Sequence, residues 1–325
     1  MNVGMTSTLA SDRTPAPSGP HHLVSALVAS IGAVMAGRGD QIEVATACVV
    51  AGGHLLAEDV PGVGKTLLAQ TIAASLGGTF ARVQGTADLL PSDVVGSLAP
   101  NADGFGLHFR PGPVFANVVL FDELNRSNPR TQSALLEVME EGHVTVDGVT
   151  HPVPAPFVVI ATQNPVEMAG TYPLTEGVTD RFMAAISLGR ATATEEVEVL
   201  TGRRGRVRLS DVVRVATMEE LAACRTQVRN IHLADAVAEY AVAILQATRA
   251  HPRVRLGAST RGGVAMVALA RAFALMDGRD YVAPHDVARS AQSALPHRLV
   301  LVGQERSGAA AVVTECVAAV QAPRR

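Results

Sequence analysis

The segment from Glu58 to Thr66, EDVPGVGKT, has the composition of a loop that binds phosphate groups. It contains Lys65, the only lysine in the 325 residues, while the other 26 residues counted as Lys or Arg are arginine. A compact ammonium group fits among phosphate oxygens inside a tight loop, where a planar guanidinium group does not. Gly62 and Gly64 let the backbone turn its N–H groups inward, and the Thr66 hydroxyl can bind Mg²⁺. We therefore expect Lys65 to contact the outer phosphates of a nucleotide.

Two adjacent carboxylates, Asp122 and Glu123, follow the apolar run Val118–Phe121. If this run is a strand of a parallel sheet, both side chains lie at the carboxyl end of the strand, where open α/β sheets bind ligands. Asp122 would hold a magnesium ion through water. Glu123 would accept a proton from the water that attacks the γ-phosphate, or orient that water. An acidic strand end in solvent is the alternative, and the phosphate loop roughly 60 residues earlier argues against it.

Three further residues could contact the reacting phosphate. Asn164 follows the apolar run Phe157–Ala161, and an uncharged amide there could bind the attacking water or the γ-phosphate without repelling either. Arg181 and Arg261 could stabilise the charge that develops on a transferred phosphoryl group. Because the chain has 26 arginines, the pattern alone favours surface ion pairs for these two.

The elements that position these residues alternate along the first part of the chain. Short apolar runs typical of strands alternate with helical segments, which predicts a parallel sheet with helices on both faces. The predicted strands are His54–Ala57, Phe80–Val83, Val118–Phe121, Phe157–Ala161 and Ala184–Leu188. Hairpins are expected at Gly96–Arg110 and His143–Val153, the latter around the turn residues Asp147 and Gly148.

Beyond about residue 190, the pattern predicts helices alone. We expect a disordered tail over residues 1–20, a nucleotide-binding αβα domain over 21–190 and a helical lid domain over 191–325. The predicted lid helices are Thr194–Thr201, Met218–Arg229, Ala234–Thr248, Thr260–Met276 and Pro284–Leu295.

Composition and charge exclude several classes of protein. Residues 1–190 carry a net charge of −8 and residues 191–325 a net charge of +5, which is not the strong positive field of a dedicated nucleic-acid binder. Cys48, Cys224 and Cys316 have no metal-ligand spacing and are expected to be buried in a protein of a reducing compartment. We see no signal peptide and no apolar run long enough for an integral membrane segment, so we expect a cytoplasmic protein.

The chain resembles the MoxR family of AAA+ ATPases from about residue 22 to about residue 300. The resemblance rests on seven strings in the family's order: EDVPGVGKT, RVQGTADLLPSDVVG, FRPGPVFANVVLFDELNR, TQSALLEVMEEGHVTVDG, VIATQNPVEMAGTYPL, DRF and GRDYVAPHDV. It implies an AAA+ P-loop NTPase core with strand order 5-1-4-3-2, followed by an all-α lid. It also implies a homo-oligomer, a hexameric ring, with the hairpins directed toward the pore or the substrate.

The resemblance also implies a role for each candidate residue. Lys65 and Thr66 match the Walker A pair, and Asp122 and Glu123 match Walker B, with ATP and Mg²⁺ as cofactors. The residues implied to surround the nucleotide are Asp59, Val60, Pro61, Gly62, Val63, Gly64, Lys65, Thr66 and Leu67.

Three candidates beyond the Walker motifs also acquire family roles. Asn164 matches sensor 1, Arg181 the finger that reaches a neighbouring subunit's site, and Arg261 the sensor 2 residue, which we expect to serve the site of its own chain. The chain departs from the family pattern at Thr175 and Gly177, where proline and alanine are usual, and at Thr260, which replaces a proline and could act as the helix N-cap. The family allows aspartate in place of the usual first glycine of the loop, at Asp59.

Four functions remain to be weighed. The favoured one is a chaperone-like motor that acts on a partner with a von Willebrand factor A domain, often in metal or cofactor insertion. The second is the ATPase subunit of a metal chelatase, and these two stay unresolved. A nucleic-acid motor is disfavoured because the chain has no basic stripe, and a switch that does not hydrolyse ATP is disfavoured by the intact pair Asp122 and Glu123. Glu137, Glu140 and Glu141 are interpreted as a solvated helix face.

Overall fold

The computed structural model describes residues 19–35, 37–59, 62–102, 106–164, 171–189, 197, 201, 209–303 and 308–323. Several sequence-based predictions concern residues outside these ranges. They include most of the N-terminal tail and of the helix expected at Thr194–Thr201, together with Val60, Pro61, Asp103 and Gly104.

A five-stranded parallel sheet forms the centre of the molecule. Its strands are β1 (Leu55–Glu58), β2 (Phe80–Gln84), β5 (Val118–Asp122), β8 (Val158–Gln163) and β9 (Ala184–Ile186). They lie side by side in the order β2–β5–β8–β1–β9. When these five strands are numbered by themselves along the chain, the order is 5-1-4-3-2, so the implied fold is confirmed.

Register and burial explain why the strands are apolar throughout. Leu55 pairs with Ile160 of β8 on one side and with Ala184 of β9 on the other, so β1 is an interior strand. Alternate residues enter different cores: Leu55 faces one hydrophobic cluster, whereas Leu56 faces the second. Because both faces are covered, polar side chains can be accommodated at the strand ends, which is where the candidate site residues lie.

Helices cover both faces of the sheet. They are α1 (Pro20–Val34), α2 (Gly39–Ala51), α3 (Lys65–Ser75), α4 (Pro91–Val95), α5 (Pro129–Glu141) and the short α6 (Glu176–Thr179). Buried residues of α1, α2 and α3 join the cluster that contains Leu55, and those of α5 join the cluster that contains Leu56. The layers therefore run helix, sheet, helix.

Both predicted hairpins are present as antiparallel pairs. Strand β3 (Gly96–Pro100) pairs with β4 (Leu107–Pro111), and β6 (His143–Val146) pairs with β7 (Val149–Pro152). Asp147 and Gly148 have φ values of 50° and 77°, as a tight two-residue turn requires. The Phe109 ring stacks on the His151 ring with centroids 3.9 Å apart, so this phenylalanine packs between the two hairpins.

The C-terminal region consists mainly of helices. They are α7 (Met218–Asn230), α8 (Asp235–Ala250), α9 (Thr260–Met276), α10 (Pro284–Ala294) and α11 (Ala309–Ala319). A small antiparallel pair, β10 (Val254–Leu256) with β11 (Val300–Leu301), contradicts the expectation that strands stop near residue 190. Strands of two or three residues are too short to show a period of two, which is why the pattern does not reveal them.

The same region shows which residue caps α9. Ser259, not Thr260, is the N-cap, and its hydroxyl accepts a hydrogen bond of 3.0 Å from the backbone N–H of Gly262.

Of the helices in the described ranges, none is at once long and apolar enough to cross a membrane. The three cysteines are buried free thiols, and burial raises the pKa of Cys48 to about 12.

Candidate active site

The phosphate loop joins β1 to α3 at the carboxyl edge of the sheet. Gly62 and Gly64 have φ values of +87° and +101°, a region that residues with a β-carbon rarely adopt. Lys65 is the first residue of α3, and its Nζ donates a hydrogen bond of 2.8 Å to the backbone carbonyl of Asp59. The ammonium group thus lies against the loop, where it could contact the phosphates of a bound nucleotide.

The side chain of Asp59 makes structural contacts that the sequence did not predict. Its carboxylate accepts hydrogen bonds from Ser187 Oγ at 2.8 Å and from the backbone N–H groups of Leu188 and Gly189 at 2.6 and 3.2 Å. This buried side chain therefore fastens the loop to the segment that leaves β9. Its backbone carbonyl accepts the hydrogen bond from Lys65.

The surroundings of Lys65 favour an anionic ligand. Burial lowers the pKa of Lys65, while Asp122, Asp59 and Glu123 act in the opposite direction. Burial opposes the charged form of an amine, and nearby anions favour it. The phosphates of a nucleotide would add negative charge and so stabilise the ammonium form further.

Asp122 is held in place at the carboxyl end of β5. Its Oδ1 accepts a hydrogen bond of 2.7 Å from Thr162 Oγ1, and its Oδ2 lies 2.5 Å from Arg82 Nη2. Neither Thr162 nor Arg82 was selected from the sequence. The only indication in the sequence was their position in strands that border β5: Thr162 lies next to the carboxyl end of β8, and Arg82 lies in the middle of β2.

Glu123 adopts a left-handed backbone conformation, with φ 55° and ψ 52°, which is uncommon for a residue other than glycine. Its backbone N–H donates a hydrogen bond of 2.7 Å to Thr162 Oγ1. Its carboxylate Oε2 accepts from Gln84 Nε2 at 3.0 Å and from Arg126 Nη1 at 2.9 Å. A strained backbone that several hydrogen bonds hold in place is typical of a functional position.

One cleft of about 550 Å³ collects most of the predicted residues. Its lining comprises Gly62, Gly64, Lys65, Thr66, Leu67, Gln70, Arg82, Gln84, Asp122, Glu123 and Asn164. Val63 is an exception, since its side chain is buried in the hydrophobic core. The hydroxyl of Thr66 and the carboxylate of Asp122 are hard oxygen donors, so the lining fits a magnesium ion carried by phosphates.

Arg181 and Arg261 lie elsewhere, around a second cavity of about 530 Å³. Gly53 and His54, which precede β1, also line this cavity, as does Met183, which precedes β9. The phosphate loop follows β1, so the cavity lies at the amino edge of the sheet and the cleft at the carboxyl edge.

A single carboxylate joins the two arginines. Glu140, near the end of α5, pairs through Oε2 with Arg181 Nη2 at 3.0 Å and through Oε1 with Arg261 Nη2. The hydrogen bond from Arg261, more than that from Arg181, lowers the pKa of Glu140. Arg181 Nη1 also donates to the backbone carbonyl of Gly177 at 2.5 Å. Glu137, Glu140 and Glu141 are exposed, as the interpretation of a solvated helix face expected, and Glu140 in addition pairs with two arginines, which the sequence did not predict.

Comparison with known proteins decides the family. Residues 54–184 match the ATPase family associated with various cellular activities (AAA), and residues 246–316 match the AAA lid domain. The chain is 38% identical to Chaperone MoxR1 of Mycobacterium tuberculosis over 86% of this chain and 76% of that protein. The chain belongs to the MoxR family of AAA+ ATPases. It is accordingly an ATPase.

The chain is also similar to a second curated protein and to a solved structure. YeaC of Bacillus subtilis is 45% identical over 93% of this chain and 96% of that protein. A crystal structure of a Cytophaga hutchinsonii protein matches with a TM-score of 0.85 and 32% identity, covering 94% of this chain and 96% of that chain.

The position of Arg261 differs from what this MoxR-family sequence led us to expect. We expected the side chain to point into the ATP cleft of its own chain, whereas it lies beside Arg181 at the opposite edge of the sheet. The reason is the placement of α9, whose N-terminus is tied to the segment that carries Arg181.

That tie is a compact polar network. Ser259 Oγ donates to both carboxylate oxygens of Asp180, at 3.0 and 3.1 Å. Arg298, which is only 5% exposed, donates from Nε to Asp180 at 2.8 Å and from Nη2 to the carbonyl of Phe182 at 2.7 Å. The lid region of this ATPase thus holds the Arg181 segment from two directions, and neither Ser259 nor Arg298 was singled out from the sequence.

Proposed function

We propose that this MoxR-family ATPase hydrolyses Mg²⁺-ATP in a site that a neighbouring copy of the chain completes. One observation carries the proposal: the phosphate-binding residues and the arginine pair lie at opposite edges of one sheet. Strand β1 has four residues and separates the two regions by about 13 Å. A second copy that places its amino edge against the cleft would bring arginines to the γ-phosphate.

Each residue of the cleft would have a distinct role. Lys65 would neutralise the outer phosphates, and Thr66 and Asp122 would hold Mg²⁺, which supplies charge neutralisation between the phosphates. Glu123 would orient or deprotonate the attacking water, and Asn164 would contact that water or the γ-phosphate.

The arginines would act from the neighbour. Arg181 keeps its proposed role as the finger, and Arg261 would reach the same neighbouring site, because Glu140 holds both side chains together. Such sharing makes hydrolysis depend on assembly, and a hexameric ring is the assembly that we propose.

The work done by the ring would be chaperone-like remodelling of a partner protein, with a von Willebrand factor A domain protein as the client and metal or cofactor insertion as the outcome. The support is the family and the name of the Mycobacterium tuberculosis relative. The ATPase motor of a metal chelatase is the alternative, and a nucleic-acid motor is the weaker one. The net charge of −3 offers no attraction to nucleic acid.

Glu123→Gln tests the catalytic assignment. The amide can still accept a hydrogen bond but cannot take a proton, so ATP affinity should stay within about twofold of wild type while turnover falls about 100-fold or more. Calorimetry with Mg²⁺-ATP measures the first quantity and phosphate release the second. Unchanged turnover would remove Glu123 from its role, and no ATP binding by the wild-type protein would overturn the proposed function.

A further inference from the structure

Glu140 occupies an unusual place for a glutamate near the end of an exposed helix. Its two carboxylate oxygens are divided between two guanidinium groups, Oε2 to Arg181 and Oε1 to Arg261. These arginines come from segments about 80 residues apart in the chain. Glu140 is therefore a direct link between the two arginine side chains that the proposed function assigns to the neighbouring ATP.

The backbones that carry the arginines are fixed by other contacts. Asp180, next to Arg181, binds Ser259, and Ser259 caps the helix in which Arg261 is the second residue. Arg298 secures the same segment from the lid region. Loss of the Glu140 carboxylate would leave these contacts intact, so it would release the two side chains rather than unfold the region.

Charge explains why the link matters. Two guanidinium groups that converge on one point repel each other, and a carboxylate between them offsets that repulsion and fixes their directions. The side chains of Glu140 and Arg181 are 30% and 28% exposed, so solvent screens the interaction only in part. Because these side chains are partly exposed, the guanidinium groups stay accessible to a ligand.

We propose that Glu140 is a positioning residue that holds Arg181 and Arg261 as one unit for the triphosphate bound by a neighbouring copy. This rests on the proposed function. Glu140 does not touch ATP; it sets the orientation of the two groups that do, and it acts on the site of the neighbour rather than on the cleft of its own chain.

The test uses the full-length chain with Glu140→Gln, an isosteric change that removes the negative charge. Glu137→Gln, one turn earlier on the same helix and also exposed, is the matched control. We expect turnover to fall about 10- to 100-fold for Glu140→Gln, since small misplacements of reacting groups have effects of that size. ATP affinity and thermal unfolding should match those of Glu137→Gln.

Mixing separates a role in the neighbour's site from a local one. In a ring that contains both variants, a Glu140→Gln subunit supplies an intact cleft. A neighbouring Glu123→Gln subunit, in which Glu140 is intact, supplies correctly positioned arginines to that cleft. In randomly mixed rings at equal amounts, about a quarter of the interfaces should then turn over ATP normally. The mixture should exceed the sum of its two components.

Each outcome decides something. Wild-type turnover of Glu140→Gln, or a loss that mixing does not rescue although Arg181→Ala is rescued in the same way, overturns the role of Glu140 and leaves the proposed function standing. Failure to rescue Arg181→Ala as well overturns the shared site itself, and this proposal with it.

Discussion

Asp59 shows how a departure from a motif can be explained by one side chain. A glycine at the first position of the phosphate loop would leave the backbone N–H of Leu188 without its carboxylate partner. In this chain the Asp59 carboxylate binds that N–H, its neighbour at Gly189 and the hydroxyl of Ser187. The loop and the end of β9 are thereby joined, and the Asp59 carbonyl is placed to receive Lys65.

Asp59→Ala should therefore destabilise the protein by about 1–3 kcal/mol, because a buried N–H loses its acceptor. It should also weaken ATP binding, since the carbonyl that holds Lys65 is no longer fixed. Chemical denaturation and ATP calorimetry measure the two effects. Asp59→Asn, which keeps one acceptor oxygen, should fall between Ala and wild type. An alanine variant with wild-type stability would disprove the role of this carboxylate.

Single residues differ greatly in how well the sequence predicts them. Lys65 could be identified because it follows the glycines of the phosphate loop, and Asp122 and Glu123 because they directly follow an apolar strand. Glu140 could not, because nothing local distinguishes it from Glu137. Its role arises only when α5, α6 and α9 bring together three segments that are distant in the chain.

His54 connects three elements at the amino edge of the sheet. Its Nε2 lies 3.2 Å from the carbonyl of Met139 in α5, and its Nδ1 accepts a hydrogen bond of 3.0 Å from the backbone N–H of Val159 in β8. Burial, the largest influence, lowers the pKa of His54 to about 4. Protonation would put a hydrogen on Nδ1 facing the N–H of Val159, so the folded protein favours the neutral ring.

This histidine predicts a pH dependence of stability. In the unfolded chain its pKa is near 6.5, so the unfolded state binds a proton that the folded state excludes as the pH falls from about 6.5 to about 4. The contribution is fully present above pH 6.5, and about 2 kcal/mol of it should be lost between pH 7 and pH 5.

Thermal unfolding across this range measures the effect, with His54→Gln as the test and the exposed His22→Gln as the control. As the pH falls, His54→Gln should lose stability less steeply than His22→Gln. Equal slopes for the two variants would contradict the assignment.

Helices and strands with strong patterns were predicted well, and short or mixed ones were not. The five sheet strands agree with the sequence to within one or two residues, because runs buried on both faces leave a clear apolar signature. The prediction missed α11, whose sequence AAAVVTECVAA combines strong helix formers with β-branched residues. It also missed β10 and β11, which depend on pairing between distant segments.

For the molecule as a whole, the main result is that the proposed catalytic groups are divided between two edges of one sheet. The sequence predicted that Arg181 serves a neighbour, on the basis of the family, but placed Arg261 in its own chain's site. Only the packing of the lid region against the Arg181 segment reveals that the two arginines lie together. A pattern along one chain contains no information about which edge of the sheet a distant helix covers.

The shared site is tested most directly by mixing two inactive variants. Arg181→Ala keeps its cleft but lacks the finger, and Lys65→Ala keeps the finger but lacks the phosphate-binding ammonium group. Each alone should have turnover near zero, whereas equal mixtures should recover activity at the interfaces that pair an intact cleft with an intact finger, about a quarter of the total. Mixtures that stay as inactive as their components at every ratio would contradict the account.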